Sequence, residues 1–134
     1  MPFITINQRI SYIEASDNPL SADIGVIQGD GGVWLYDVGN GEKSLSGLTG
    51  EYHVVLSHFH ADHTGNIGRI QAKSLYVSKE TYAHVHRGVI LQGDMYIGDM
   101  RIFPLPSSHT KGCLGLEVGE SYAFVGDALY CKAK

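Results

Sequence analysis

Long apolar runs are missing from this sequence. None is long enough to span a bilayer, so no membrane-spanning helix is expected. Cysteine is scarce. Cys113 and Cys131 are too few for a disulfide framework. One bridge stays open, but free thiols fit a reducing compartment better. No basic cluster accompanies the net charge of −4, so a nucleic-acid footprint is not visible. The start, Met1-Pro2-Phe3-Ile4-Thr5-Ile6, lacks the charged-then-apolar layout of a secretory leader. A cytoplasmic location is the expectation. No repeat, low-complexity tract or second domain is evident.

What is present is ordinary for a globular domain. Hydrophobic residues make up 43% and charged residues 18%, enough for a core of its own in one domain over residues 1–134. Gly is abundant at 17, which suits tight turns between short strands.

The chain reads mainly as strands. Residues 3–14 form a β-friendly run broken around Asn7-Gln8. Asp17-Asn18-Pro19 is a turn. Ile24–Ile27 is a strand, and Gly29-Asp30-Gly31-Gly32 turns it into Val33–Asp37. Glu42 to Leu48 reads as a short helix ended by Gly50. His53–Leu56 is a short buried strand, with His53 at its start and without a catalytic role. Thr64–Gly68 reads as a brief helical turn and Leu75–Val77 as a strand. Ser78 caps a helix that ends near Gly88. Met95–Phe103 is a hairpin with Gly98-Asp99 at its tip. Pro104 and Pro106 impose an extended approach to His109. Cys113–Val118 and Tyr122–Val125 form a second hairpin, and Gly126-Asp127 closes the last strand. Cys131 falls in a frayed end.

One stretch carries chemistry: Ser57-His58-Phe59-His60-Ala61-Asp62-His63-Thr64-Gly65-Asn66. In an extended segment, side chains at i, i+2 and i+4 share a side, which would group His58, His60 and Asp62. His63 joins them only if the backbone turns, and Thr64-Gly65-Asn66 supplies turn chemistry there. Imidazole and carboxylate are the usual ligands of zinc and related ions. The plain alternative is a polar loop with several histidines. A second pair, His84 and His86, lies on the expected helix. Residues two apart there point about 200° apart, so the pair does not share a metal. Contact with substrate or simple exposure fits them. Taken alone, Asp37 is a turn aspartate before a Gly39 of positive φ, His109 a loop histidine, and Asp127 a turn aspartate.

Together these residues resemble the signature of the metallo-β-lactamase superfamily, whose members carry His-x-His-x-Asp-His at a strand end. Asp37-Val38-Gly39, Ser108-His109-Thr110-Lys111-Gly112 and Gly126-Asp127 resemble its other landmarks, in the right order. The resemblance runs from about residue 20 to about residue 130. It implies an α/β (α+β) fold, the metallo-β-lactamase-like αββα sandwich. It implies that His58, His60 and His109 hold one metal, Asp62 and His63 a second, and that Asp127 bridges the two. Asp62 and His63 are also the residues it implies for catalysis, and Asp37 would fix a ligand histidine. The implied cofactors are two divalent ions, zinc first, with manganese or iron as alternatives. A hydroxide between the ions would be the nucleophile, since zinc lowers the pKa of water from about 16 to about 7.

The chain ends seven residues after Asp127, and no histidine follows His109. The sandwich is therefore expected to be incomplete at the C-terminus, lacking most of its second half, with one ligand of the second metal missing. A fragment, a shortened form, or a homodimer or domain swap completing the sheet would each account for this. The implied activity is a metal-dependent hydrolase cleaving an ester, thioester, lactone or amide bond of a small molecule. His63 tilts the resemblance to the glyoxalase II and lactonase branches. β-Lactam or phosphodiester hydrolysis, iron-dependent oxidation and a non-catalytic metal-binding fragment are the alternatives. Neither nucleic acid nor membrane is an expected partner.

Overall fold

The continuous apolar run around Trp34-Leu35-Tyr36 sets up a sheet buried on both faces. In the computed structural model, the described residues are 3–6, 8–17, 20–21, 23–29, 31–41, 45, 48, 50–105, 113–119, 122–125 and 128–131. Among them no helix is long and apolar enough to cross a membrane.

Strands β1 (Phe3–Thr5) and β2 (Ile10–Ile13) pair antiparallel. The two-residue strands β3 (Ser16–Asp17) and β4 (Leu20–Ser21) pair antiparallel, so Asp17 of the expected turn is a strand residue, and Asn18 and Pro19 lie outside the described residues. β5 (Ile24–Gly29) and β6 (Gly32–Tyr36) form the expected hairpin, with Gly29 opposite Gly32. From there the direction changes. β7 (Glu51–Val55), β8 (Gln71–Val77) and β9 (Val89–Ile90) follow β6 in parallel. Parallel neighbours need crossovers, and two short helices lie in them. These are α1 (Ala61–Thr64) and α2 (Lys79–Val85). The seven-stranded sheet runs β1-β2-β5-β6-β7-β8-β9.

The second sheet is antiparallel, in the order of the chain. It comprises β10 (Met95–Ile97), β11 (Met100–Pro104), β12 (Leu114–Val118), β13 (Tyr122–Val125) and β14 (Ala128–Cys131). The hairpin tip at Gly98-Asp99 joins Ile97 to Met100 in register, as expected.

Period-two alternation sorts the cores. Trp34, Tyr36 and Val55 point to the second sheet and pack with Met100, Ile102, Leu116 and Phe124. Leu35, Val54 and Leu56 point the other way and pack with Ile24, Leu75 and Val77. The first sheet therefore reads as near-continuous apolar runs, while Arg101 and Glu117 mark the second sheet's outer face.

Several expectations are corrected. β13 ends at Val125, next to Gly126-Asp127, which lie outside the described residues, but it is not the last strand. β14 follows, and Cys131 pairs with Tyr122 rather than fraying, because the edge of β13 offers backbone groups to an Ala-Leu-Tyr-Cys segment. β8 begins at Gln71, four residues before Leu75, since pairing with β7 recruits its exposed polar start. His53 is the third residue of β7, stacked on Trp34 at 4.6 Å and bonded to Ser74 Oγ at 2.6 Å. Ser78 caps α2 as expected, accepting from Thr81 N–H at 3.0 Å. The helix ends at Val85, where His86 turns left-handed with φ 59°. The helix expected over Glu42–Leu48 falls mostly outside the described residues.

Candidate metal centre

The carboxyl ends of β6 and β7 bring two loops together, the usual place for a site in a sheet with parallel strands. The first loop carries Asp37, the second the histidine cluster. Asp37 is fully buried and has φ 66°, a left-handed conformation that costs about 1–2 kcal/mol for a residue other than Gly. Surrounding bonds hold it there. Its N–H donates to Val55 O at 2.8 Å, and Val38 N–H donates to His63 O at 2.9 Å. Gly39 follows at φ 66°, the positive value expected of it.

The carboxylate of Asp37 is saturated by donors. Oδ1 accepts from Ser57 N–H at 2.6 Å. Oδ2 accepts from Ser57 Oγ at 2.7 Å and from His63 Nδ1 at 2.6 Å. Asp37 thus hydrogen-bonds a histidine of the cluster, His63, through its Nδ1. A ring held through Nδ1–H presents Nε2 as its ligating atom.

The motif is not extended throughout. α1 begins inside it, with His60 as N-cap at φ −65°, ψ 142°. Asp62 therefore sits in the first helical turn, and the grouping of His58, His60 and Asp62 by strand alternation fails beyond His60. The helix wins because Thr64 and Gly65 N–H groups find His60 O at 3.2 Å and Ala61 O at 2.8 Å. The same turn swings His63 inward, to 2% exposure. Gly65 makes the turn fit: a Cβ there would collide with the Asn40 side chain and lie 2.9 Å from Ala61 O.

Three imidazoles result, gathered around His58. Its ring centroid lies 4.1 Å from that of His63 and 4.6 Å from that of His60. Asp62 Oδ2 lies 3.6 Å from His63 Nε2, with the Asp62 side chain 28% exposed. His58 and His63 are buried, while His60 is exposed. Phe59 lies between His60 and His84, edge-on to the first at 5.2 Å and stacked on the second at 4.1 Å. His84 thus stays with Phe59 and His86 serves as the helix cap, and the two do not form a ligand pair.

His109 and Asp127 lie outside the described residues. Among the described residues, no three His, Cys, Asp or Glu side chains close into a metal-holding group. The donor chemistry nevertheless fits a divalent ion: two buried rings held by Nδ1, a third ring beside them, and a carboxylate at the mouth.

Two further anchors hold the site. Ser57, before the first histidine, bonds Asp37 through its N–H and its hydroxyl. Asn66, expected to supply turn and helix-start chemistry, bonds Val38 O at 3.0 Å and Gly41 O at 2.9 Å through its buried Nδ2, tying the two loops together. Nothing but adjacency to the motif signalled either one.

This two-sheet architecture is the metallo-β-lactamase fold. DIM-1 metallo-β-lactamase superposes with TM-score 0.69 at 15% identity, over 87% of this chain and 64% of that one. BJP-1, a subclass B3 metallo-β-lactamase of Bradyrhizobium japonicum, gives 0.62 at 15% identity, over 98% and 62%. A diphosphatase of the PhnP family gives 0.59 at 20% identity, over 76% and 50%. The chain thus spans less than two thirds of the length of each of these structures. No family model and no curated protein matches the sequence.

Proposed function

We propose that this chain carries the metal-binding half-site of a hydrolase that cleaves an ester, thioester, lactone or amide bond in a small molecule. One observation carries the reading: the buried Asp37 carboxylate holds His63 by Nδ1, with His58 beside it at the same strand ends. Metal-ligating histidines almost always donate their other ring N–H to a carboxylate, a carbonyl or water, and the buried Asp37 supplies such a partner. The fold supports the reading in general terms only.

His58, His60 and His109 are the proposed ligands of one ion, Asp62 and His63 of a second, and Asp127 of both. Zinc is the first choice, then manganese or iron. A bound ion of this kind acidifies water and polarises the bond to be cut. The chain's own contribution is orientation. Asp37 fixes His63, and the exposed His60 with the partly exposed Asp62 faces the substrate side.

The tilt to thioesters and lactones rests on His63. Neighbours named as β-lactamases and a diphosphatase bring two more bonds into the assay. Hydrolysis of a panel of esters, thioesters, lactones, a β-lactam and a phosphodiester would be measured with added zinc or manganese. Metal-dependent turnover that His58→Ala abolishes is the expected result. A flat panel, with His58→Ala changing stability alone, leaves a non-catalytic metal-binding module instead.

A further inference from the structure

The Ser57 hydroxyl is fully buried between three partners of the cluster. It has one proton to give and lone pairs to receive. Two acceptors lie within reach of that proton, Asp37 Oδ2 and His58 Nδ1, both at 2.7 Å. A carboxylate is the stronger acceptor, since hydrogen bonds to ionised groups are roughly twice as strong as neutral ones. The proton therefore goes to Asp37. The Ser57 oxygen then accepts from His58 Nδ1–H. His63 Nδ1–H reaches the same Asp37 Oδ2 directly, at 2.6 Å.

We propose that Ser57 is a positioning residue that ties His58 to Asp37, so that one buried acid sets the ligating nitrogen of both His58 and His63. For its effect on metal binding this rests on the function proposed above; for the state of the rings it rests on the hydrogen bonds alone. The two arms differ. His63 is held directly, His58 through a hydroxyl. Removing the hydroxyl cuts the longer arm and, on His63, only a marginal 3.5 Å contact, because the Ser57 N–H bond to Asp37 Oδ1 at 2.6 Å belongs to the backbone. In the proposed ligand assignment the two rings serve different ions. Ser57 thus governs one site and leaves the other in place, while Asp37 stands behind both.

The test uses metal-free protein with nitrogen-labelled histidine, read by long-range proton–nitrogen NMR. In the wild type, His58 and His63 should both carry the proton on Nδ1. In Ser57→Ala, His58 should shift toward the form protonated on Nε2, with His63 unchanged, and Ser57→Thr should restore it. Zinc affinity by chelator competition should fall about tenfold or more at the site that His58→Ala removes, and return in Ser57→Thr. If Ser57→Ala fails to fold, the wild-type His58 tautomer alone decides, since the positioning role requires its proton on Nδ1. A wild-type His58 protonated on Nε2, or a tautomer and affinity indifferent to Ser57, overturns the positioning role. If the wild type takes up no zinc while His58 still answers to Ser57, the role stands and the metal reading falls. Tight zinc binding with an indifferent His58 does the reverse.

Discussion

Asp37 and His63, 26 residues apart in sequence, meet through a 2.6 Å hydrogen bond in which Nδ1 donates to a fully buried carboxylate. That contact joins the loop after β6 to the helix after β7. It also explains why a residue other than Gly is kept at positive φ: the strain is small beside the bonds the carboxylate then makes.

Asp37→Asn should weaken both the fold and the site. The amide brings two N–H donors to a place where donors already converge, leaving buried groups unpaired at about 1–3 kcal/mol. Urea unfolding should show a loss of that size. Zinc affinity should fall about 10–100-fold, because the rings lose their fixed orientation. An unchanged affinity would sever the link between Asp37 and the proposed ligands.

Gly65→Ala should destabilise without touching a proposed ligand. The added methyl meets the Asn40 side chain and the Ala61 carbonyl in the same small space. Overpacking of this kind costs about 1–3 kcal/mol. The urea midpoint should drop, and a double variant with Asn40→Ala should recover part of the loss.

A pH effect is expected far from the site. Arg9 Nη1 and Nη2 grip Asp99 at 2.6 and 3.0 Å, bridging the β1–β2 turn to the tip of the β10–β11 hairpin. The hydrogen bond from Arg9 holds the Asp99 carboxyl below its ordinary value, against a smaller opposing effect of burial. A pKa lowered on folding gives stability that is present above the unfolded value, near 3.9. It is lost as pH falls through the folded value. The pair is exposed, so screening limits it to under about 1 kcal/mol. The stability gap between wild type and Asp99→Asn should be open at pH 6 and should close at acid pH. A gap that widens on acidification would contradict this.

His84→Ala should loosen Phe59 and, through it, His60. A stacked pair of this kind is worth about 0.5–1.5 kcal/mol. Stability should fall by that order, and His84→Phe should keep most of it. Equal losses in the two variants would mean that the stack is not the cause.

Much of the fold can be read directly from the chain because its physics is local. The apolar runs around Trp34 and Val54 mark buried strands, and Gly98-Asp99 gives a hairpin. The His/Asp spacing marks the candidate site and Asp37 its buried partner. What was not legible depends on distant partners. Helix α1 starts within the motif because His60 O is capped by its own turn, which the strand-like spacing hides. Ser57 and Asn66 are single polar residues whose importance lies in what folds against them. β14 exists because β13 leaves an edge to pair with. His109 and Asp127, the two proposed ligands beyond the described residues, rest on the sequence resemblance alone.

The most direct measurement is divalent metal per chain, by elemental mass spectrometry, on wild type and His58→Ala after exposure to zinc and dialysis. The account predicts one or two ions per wild-type chain and the loss of at least one in the variant. A wild type that retains none, or a variant that retains as many, would contradict the metal centre at its root.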